Sequence, residues 1–279
     1  MKIVITGSNG MLGYDLVQRL KRRYEVIGID IDNFDIVHKN VVDYLLRQKP
    51  DFVFHLAAYT DVDKAERDRK RAYNVNVSGT RNIVTVCKTL DVPLVFISTD
   101  YVFDGWEEIP YTEKDRPNPL NFYGETKREG EKIITAMLKK YFIVRTSWLF
   151  GKNGKNFVKT ITSFAQKKES IEVVDDQYGS PTYTYDLAVS LKMFLTVKKY
   201  GVYHITNRNS CSWFDFAKKI VTLSGGKTVI IPIKSVDFKS KRLAKRPQNS
   251  VLDNSLFEKR FDYRMPTWDD ALRRYLSNE

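Results

Sequence analysis

The chain has 279 residues, of which 42% are hydrophobic, 13% aromatic and 29% charged. That composition excludes a disordered or fibrous protein and allows one large α/β domain or two smaller ones. No apolar run approaches the ~20 residues needed to cross a bilayer, and "IVIT" after Met1 and Lys2 is too short for a secretory signal, so no membrane partner and a cytoplasmic location are expected. Lys and Arg exceed Asp and Glu by 46 − 34 = 12, an excess that suits anionic ligands. The densest basic stretch, "KSVDFKSKRLAKRP" from Lys234, carries no RNA-binding signature. A solvated loop near a phosphate-bearing ligand explains its charges as well, and no nucleic-acid partner is expected.

In chain order, "KIVIT" reads as a buried strand, "GSNGMLG" as a turn and "YDLVQRLKRR" as a helix. "YEVIGID" is a second strand ending in Asp30, "HKNVVDYLLRQK" a helix and "DFVFHLAA" a third strand. A long helix through "NVSGTRNIVTVCKTL" leads to the strand "PLVFIST", then to a helix carrying Tyr123 and the strand "YFIVRTSWLF". Strands alternating with helices predict a Rossmann-type, doubly wound parallel sheet. From about Gly151 the pattern loosens into a smaller α+β region, with helices in "FVKTITSFAQ", from Tyr185 and in "SWFDFAKKIVTL", and strands in "IEVV", "GVYHIT" and "TVIIPI". The expected organisation is therefore an NAD(P)-binding domain over residues 1–150 and a mainly substrate-binding region over 151–279, with a boundary expected to be discontinuous.

Gly7, Gly10 and Gly13 fall between a strand and a helix, the context of a dinucleotide fingerprint. Glycine there permits a tight turn and lets the backbone approach a pyrophosphate at the helix N-terminus. The spacing, GxxGxxG, is wider than GxGxxG. Asp30, at the end of the second strand, is placed to accept hydrogen bonds from an adenosine ribose, and its charge opposes a 2′-phosphate. NADH is then accepted readily, and NADPH where a nearby cation compensates.

Of the sixteen tyrosines only Tyr123 has a lysine four residues on, Lys127. That spacing puts the phenol and the ammonium on one helical face, either as an active-site pair or as an ordinary surface pair. The two cysteines, Cys87 and Cys211, sit in apolar company and read as buried thiols. His38, His55 and His204 show no metal-ligand spacing, and no metal is assigned.

With "TGSNGMLG", "HLAA", "STDYVFDG" and "YGETK" in this order, the chain resembles the extended short-chain dehydrogenase/reductases. "TSWLFGKNGKNFVKT", "DDQYGSPT" and "RPQNSVLD" bring it close to the branch that reduces dTDP-4-dehydrorhamnose. The resemblance covers nearly the whole chain. It implies NADPH or NADH as cofactor, a dTDP-sugar as substrate and a catalytic set of Thr99, Tyr123 and Lys127. Ser98 neighbours Thr99, but successive strand side chains face opposite ways, and the resemblance selects Thr99.

A neighbouring ammonium lowers the pKa of a phenol, so Lys127 is expected to tune Tyr123 and, by resemblance, to hold the nicotinamide ribose. The resemblance further places Gly10, Met11 and Leu12 along the cofactor pyrophosphate, Asp30, Asp35 and Ile36 around the adenosine, and Ala57 and Ala58 beneath the cofactor. Asp100 and Trp148, then Thr60, Val62, Tyr101 and Gln177, are implied on the substrate side; Trp148 also reads as a plain core aromatic.

Related dehydratases carry an Asp-Glu pair after the catalytic Thr, whereas Asp100 is followed here by Tyr101. Another nucleotide-sugar reductase or an epimerase of the same fold, and a non-catalytic subunit resembling the regulatory partner of methionine adenosyltransferase, are the remaining alternatives. A homodimer is one expected assembly. Some members of the branch dimerise through a metal held by carboxylates, and Asp15 falls at one such position. In "TYTYDLAV", however, only Asp186 stands where an acidic pair is expected.

Overall fold

In the computed structural model residues 1–237 and 243–277 are described, so the middle of the basic stretch lies outside them. The first half alternates as expected: β1 (Lys2–Thr6), α1 (Met11–Leu20), β2 (Glu25–Ile29), α2 (Asn40–Gln48) and β3 (Phe52–His55). Next come α3 (Val62–Arg67), α4 (Arg69–Tyr73), a π-helical turn (Asn74–Gly79) and α5 (Thr80–Leu90). β4 (Leu94–Thr99), α6 (Phe122–Met137) and β5 (Tyr141–Thr146) complete it. The second half adds α7 (Phe157–Ala165), α8 (Thr184–Met193), β6 (Gly201–His204) and α9 (Trp213–Leu223), with short strand pairs between them.

β1 to β6 form one parallel sheet in the order β6-β5-β4-β3-β1-β2. Its near-continuous apolar runs fit a sheet covered on both faces. Alternation along β1 divides the core: Ile3 and Ile5 pack with Leu12 and Leu16 of α1 and Leu187 and Leu191 of α8. Val4 faces the other way, toward Val41, Leu45, Ile83 and Val84. The chain leaves β1 for β2 on one side and takes up β3 on the other, so the crevice where such sheets bind ligands opens at their carboxyl ends.

Two expectations change. The run "YFIVRTSWLF" is not one strand: β5 stops at Thr146, and Leu149–Phe150 pairs instead with Thr182–Tyr183. Trp148 turns the chain between them in a left-handed conformation, φ +48°, which few side chains adopt. "GVYHIT" does not belong to a separate α+β unit, because β6 pairs with β5 in the main sheet. A third apolar cluster, around Phe150, Val158, Ile171, Phe216 and Tyr275, ties α7 and α9 to the C-terminal residues, whereas α8 and β6 pack into the first cluster. Cys87 and Cys211 are buried and free.

Candidate active site

The glycine turn is built by close approach. Gly7 has φ +71°, and a Cβ on it would lie 2.7 Å from the Ala57 nitrogen; a Cβ on Gly13 would lie 2.0 Å from the Gly7 carbonyl oxygen. Gly10 caps α1 with no side-chain hydrogen bond, and the first turn holds no acid. The leading amides of α1 therefore remain available to an anion. Asp30 directly follows β2, and its carboxylate accepts from the Asn9 and Ile31 amides, each at 2.8 Å. Each oxygen keeps a lone pair for a ribose hydroxyl. Asp35 accepts from the Val37 amide at 2.9 Å, and Ile36 is buried against Gly79.

The start of α6 is pressed onto the end of β4. Asn121 accepts from the Gly124 amide at 2.9 Å, and a Cβ on Gly124 would lie 2.1 Å from the Tyr101 carbonyl oxygen. This brings Tyr123 to Thr99 and sets its ring edge-on to Tyr101, 6.1 Å between centroids. Burial, with Asp100 and Tyr101 adding to it, pushes the Tyr123 phenol well above its ordinary range; the Thr99 hydroxyl works the other way.

The expected tuning by Lys127 is absent from this balance. Lys127 is itself buried, which brings its ammonium down to about 7 while Glu131, one turn on, favours its charge. Burial also works against Glu131, yet Arg145 (2.9 and 2.8 Å), Ser98 (2.6 Å) and Arg128 (2.7 Å) hold its carboxyl below the usual range. The Ser98 hydroxyl is thus committed to Glu131, on the opposite strand face from Thr99.

Thr99 donates to Asp100 Oδ1 at 2.9 Å and accepts from the Tyr101 amide at 3.2 Å. Asp100 is buried, which raises its carboxyl to about 6 against the Ser250 and Thr99 hydroxyls. The Ser250 hydroxyl bonds to the Tyr178 carbonyl at 3.3 Å, and Asp100 Oδ2 has no hydrogen-bond partner among the described residues. Thr146 Oγ1 is buried and unpartnered in the same way. Both residues line the cavity, and a buried polar atom left unpaired is one a ligand satisfies.

The cavity holds about 1120 Å³. Its wall takes in the glycine turn, Asp30, Asp35, Ile36, Ala57, Ala58, Thr60, Val62, Thr99, Asp100, Tyr101, Tyr123, Lys127 and Trp148. Gln177 is not part of it: its side chain is buried elsewhere and donates to the Ser235 hydroxyl at 3.3 Å. Trp148 is half-buried and stacked on Trp213, 3.5 Å between centroids and 9° between planes. A Cβ on Gly179 would lie 2.4 Å from the Trp148 ring, so the indole is both packed and cavity-facing.

Two features that shape the site, one in the cavity wall and one behind it, escape sequence reasoning. Trp213 reaches the cavity from α9. Asn76, in the π turn, accepts from the Tyr59 amide (2.8 Å) and donates to the Tyr59 carbonyl (3.1 Å) and the Thr126 hydroxyl (2.9 Å). It ties the loop after β3 to α6. Its "NVSGT" context reads as ordinary helix, although π turns of this kind recur at functional sites.

The acids considered for a shared metal are engaged within the chain. Asp15 accepts from the Thr184 hydroxyl at 2.5 Å. Asp186 pairs with Arg274 at 2.9 and 2.7 Å and accepts from Asn207 at 2.9 Å.

A parallel sheet with a glycine turn at its switch point, and a Thr, Tyr and Lys meeting in the same crevice, define an extended short-chain dehydrogenase/reductase. The model of the RmlD substrate binding domain matches residues 1–279, and the chain belongs to that family. It is 37% identical to a dTDP-4-dehydrorhamnose reductase of Aggregatibacter actinomycetemcomitans, over 98% of this chain and 97% of that protein. It is 38% identical to the spore coat polysaccharide biosynthesis protein SpsK of Bacillus subtilis, over 99% and 96%. A crystal structure of dTDP-4-dehydrorhamnose reductase from Bacillus anthracis in complex with NADP superposes with a TM-score of 0.96 at 39% identity, covering 100% of this chain and 99% of that one.

Proposed function

We propose that this chain is an NAD(P)H-dependent reductase that converts the C4 ketone of dTDP-4-dehydro-L-rhamnose to the alcohol of dTDP-L-rhamnose. The observation that carries the reading is the meeting of Thr99, Tyr123 and Lys127 with the glycine turn in one cavity. The names of the relatives, and the NADP complex of the Bacillus anthracis protein, support the substrate and the cofactor.

The uncapped start of α1 suits a dinucleotide diphosphate, and the bound cofactor supplies hydride to the carbonyl carbon. As charge develops on the ketone oxygen, the Tyr123 hydroxyl delivers its proton there, and its raised pKa keeps that proton in place at neutral pH. Thr99 orients the same oxygen, and Lys127 holds the nicotinamide ribose. The unpaired Asp100 Oδ2 receives a sugar hydroxyl. Tyr101 occupies the place where a dehydratase carries its glutamate, which favours reduction without elimination.

The test is product identity. Purified protein, dTDP-4-dehydro-L-rhamnose and either reduced nicotinamide should give dTDP-L-rhamnose by chromatography and mass. Unchanged substrate with both cofactors would refute the reading.

A further inference from the structure

Residues 151–156, "GKNGKN", leave the third apolar cluster and cross to the glycine turn. Three contacts fix their path. A Cβ on Gly151 would lie 3.0 Å from Met11 Cγ and 2.0 Å from the Thr184 hydroxyl, so the strap begins hard against the first residue of α1. The Asn153 side-chain amide donates to the Asn9 carbonyl at 2.6 Å, on the other side of Gly10. Asn156 closes the segment, donating to the Gly151 carbonyl at 2.8 Å and accepting from the Lys159 amide at 3.0 Å as the cap of α7.

Between these anchors Gly154 is left-handed, φ +76°, with open space around it. Gly154 and Lys155 then enter the cavity wall. Lys155 is exposed, and no hydrogen bond or ion pair joins it to another described residue.

Charge makes this lysine informative. Asp30 and Asp32 both bond to Asn9 at the turn. The Lys and Arg residues in the described cavity wall are Lys70, Arg71, Lys127 and Lys155. Lys70 and Arg71 come from α4 and Lys127 from the catalytic helix, so Lys155 is the one carried by a segment that touches the start of α1. Only Gly154 separates it from Asn153, whose landing point immediately precedes the helix cap. A four-carbon stem and three donors suit a phosphate oxygen approached from above the turn.

We propose that Lys155 closes over the diphosphate of the bound dinucleotide, with residues 151–156 as the strap that holds it there. The inference rests on the cofactor reading above and adds a phosphate-binding residue that the fingerprint does not contain. The diphosphate is then clasped between the α1 amides below and an ammonium above, each supplied by a different half of the chain.

Calorimetric titration of the wild-type, Lys155→Gln and Lys155→Arg proteins with NADH, NADPH, ADP-ribose, adenosine and dTDP tests this. Lys155→Gln should weaken NADH, NADPH and ADP-ribose alike by about tenfold, the size of one charge-assisted contact. Adenosine and dTDP should bind as to wild type, Lys155→Arg should keep most of the affinity, and the salt dependence of NADH binding should be smaller in Lys155→Gln. Asn153→Ala, which frees the strap without removing the charge, should weaken the same ligands to a smaller extent.

Equal affinity of wild type and Lys155→Gln for NADH and ADP-ribose would overturn the proposal. So would a loss confined to NADPH, which assigns Lys155 to the 2′-phosphate, or to dTDP, which assigns it to the sugar nucleotide. A wild-type protein that binds no dinucleotide contradicts the cofactor reading itself.

Discussion

Lys127 Nζ lies 4.1 Å from the centre of the Phe96 ring, one helical turn past Tyr123 and one before Glu131. The ring face stabilises the cation, burial opposes it, and the ammonium titrates at about 7. A lysine lowered in this way binds fewer protons folded than unfolded between about 7 and its ordinary value of 10.5, so it lets stability rise with pH across that window. Catalysis has the opposite sign if charged Lys127 is needed. The pH profile of kcat/KM, which reports the free enzyme, should fall above about pH 7. Lys127→Arg should lower the maximum and remove that basic limb, and a wild-type profile lacking the limb would contradict this role.

Asp100 is buried as well, and its carboxyl is raised to about 6 from 3.8. A carboxyl raised on folding stabilises the protein below its unfolded value, and that contribution is lost as pH rises through about 6. At pH 7 the ionised side chain is therefore a cost, on the order of 3 kcal/mol. Asp100→Asn should melt at a higher temperature than wild type at pH 7 and at a similar one near pH 4, while kcat/KM for the dTDP-sugar falls. A lower melting temperature at pH 7 would show that Asp100 is held for stability.

Trp148 and Trp213 test the second half of the site. Because one indole face is stacked and the residue also meets the cavity, Trp148→Leu should raise KM for the sugar nucleotide and cost about 1–2 kcal/mol of stability. Affinity for NADH should stay close to wild type. A drop in melting temperature with unaltered sugar kinetics would make the stack purely structural.

Asp30→Ala removes an acceptor for the adenosine ribose and a charge that opposes a 2′-phosphate. The ratio of kcat/KM with NADPH to that with NADH should rise. The variant also releases the Asn9 and Ile31 amides, so both values should fall somewhat. An unchanged ratio would mean that Asp30 serves the turn alone.

Much of this site could be read in the sequence because its chemistry is local. The glycine turn spans seven residues between a strand and a helix, and Tyr123 and Lys127 share one helix face. Thr99 ends an apolar run whose alternation already separates it from Ser98. What escaped is non-local. Trp213 and Lys155 reach the cavity from the second half, Asn76 works through a π turn that resembles plain helix, and β6 joins a sheet whose other strands end at Thr146. The strand break at Trp148 had no glycine or proline to mark it. The relation between Tyr123 and Lys127 is only partly legible for a different reason: spacing fixes which residues can meet, whereas burial and the surrounding charges decide what each does to the other's proton.

Steady-state oxidation of NADH and of NADPH with dTDP-4-dehydro-L-rhamnose, by wild-type protein and by Tyr123→Phe, bears most directly on the assignment of a reductase with Tyr123 as its proton donor. Wild type should turn over with at least one of the two cofactors. Tyr123→Phe should lose a factor of about 10² or more in kcat, the usual size of a general-acid contribution, with NADH affinity little changed. Near wild-type turnover by Tyr123→Phe would contradict the account.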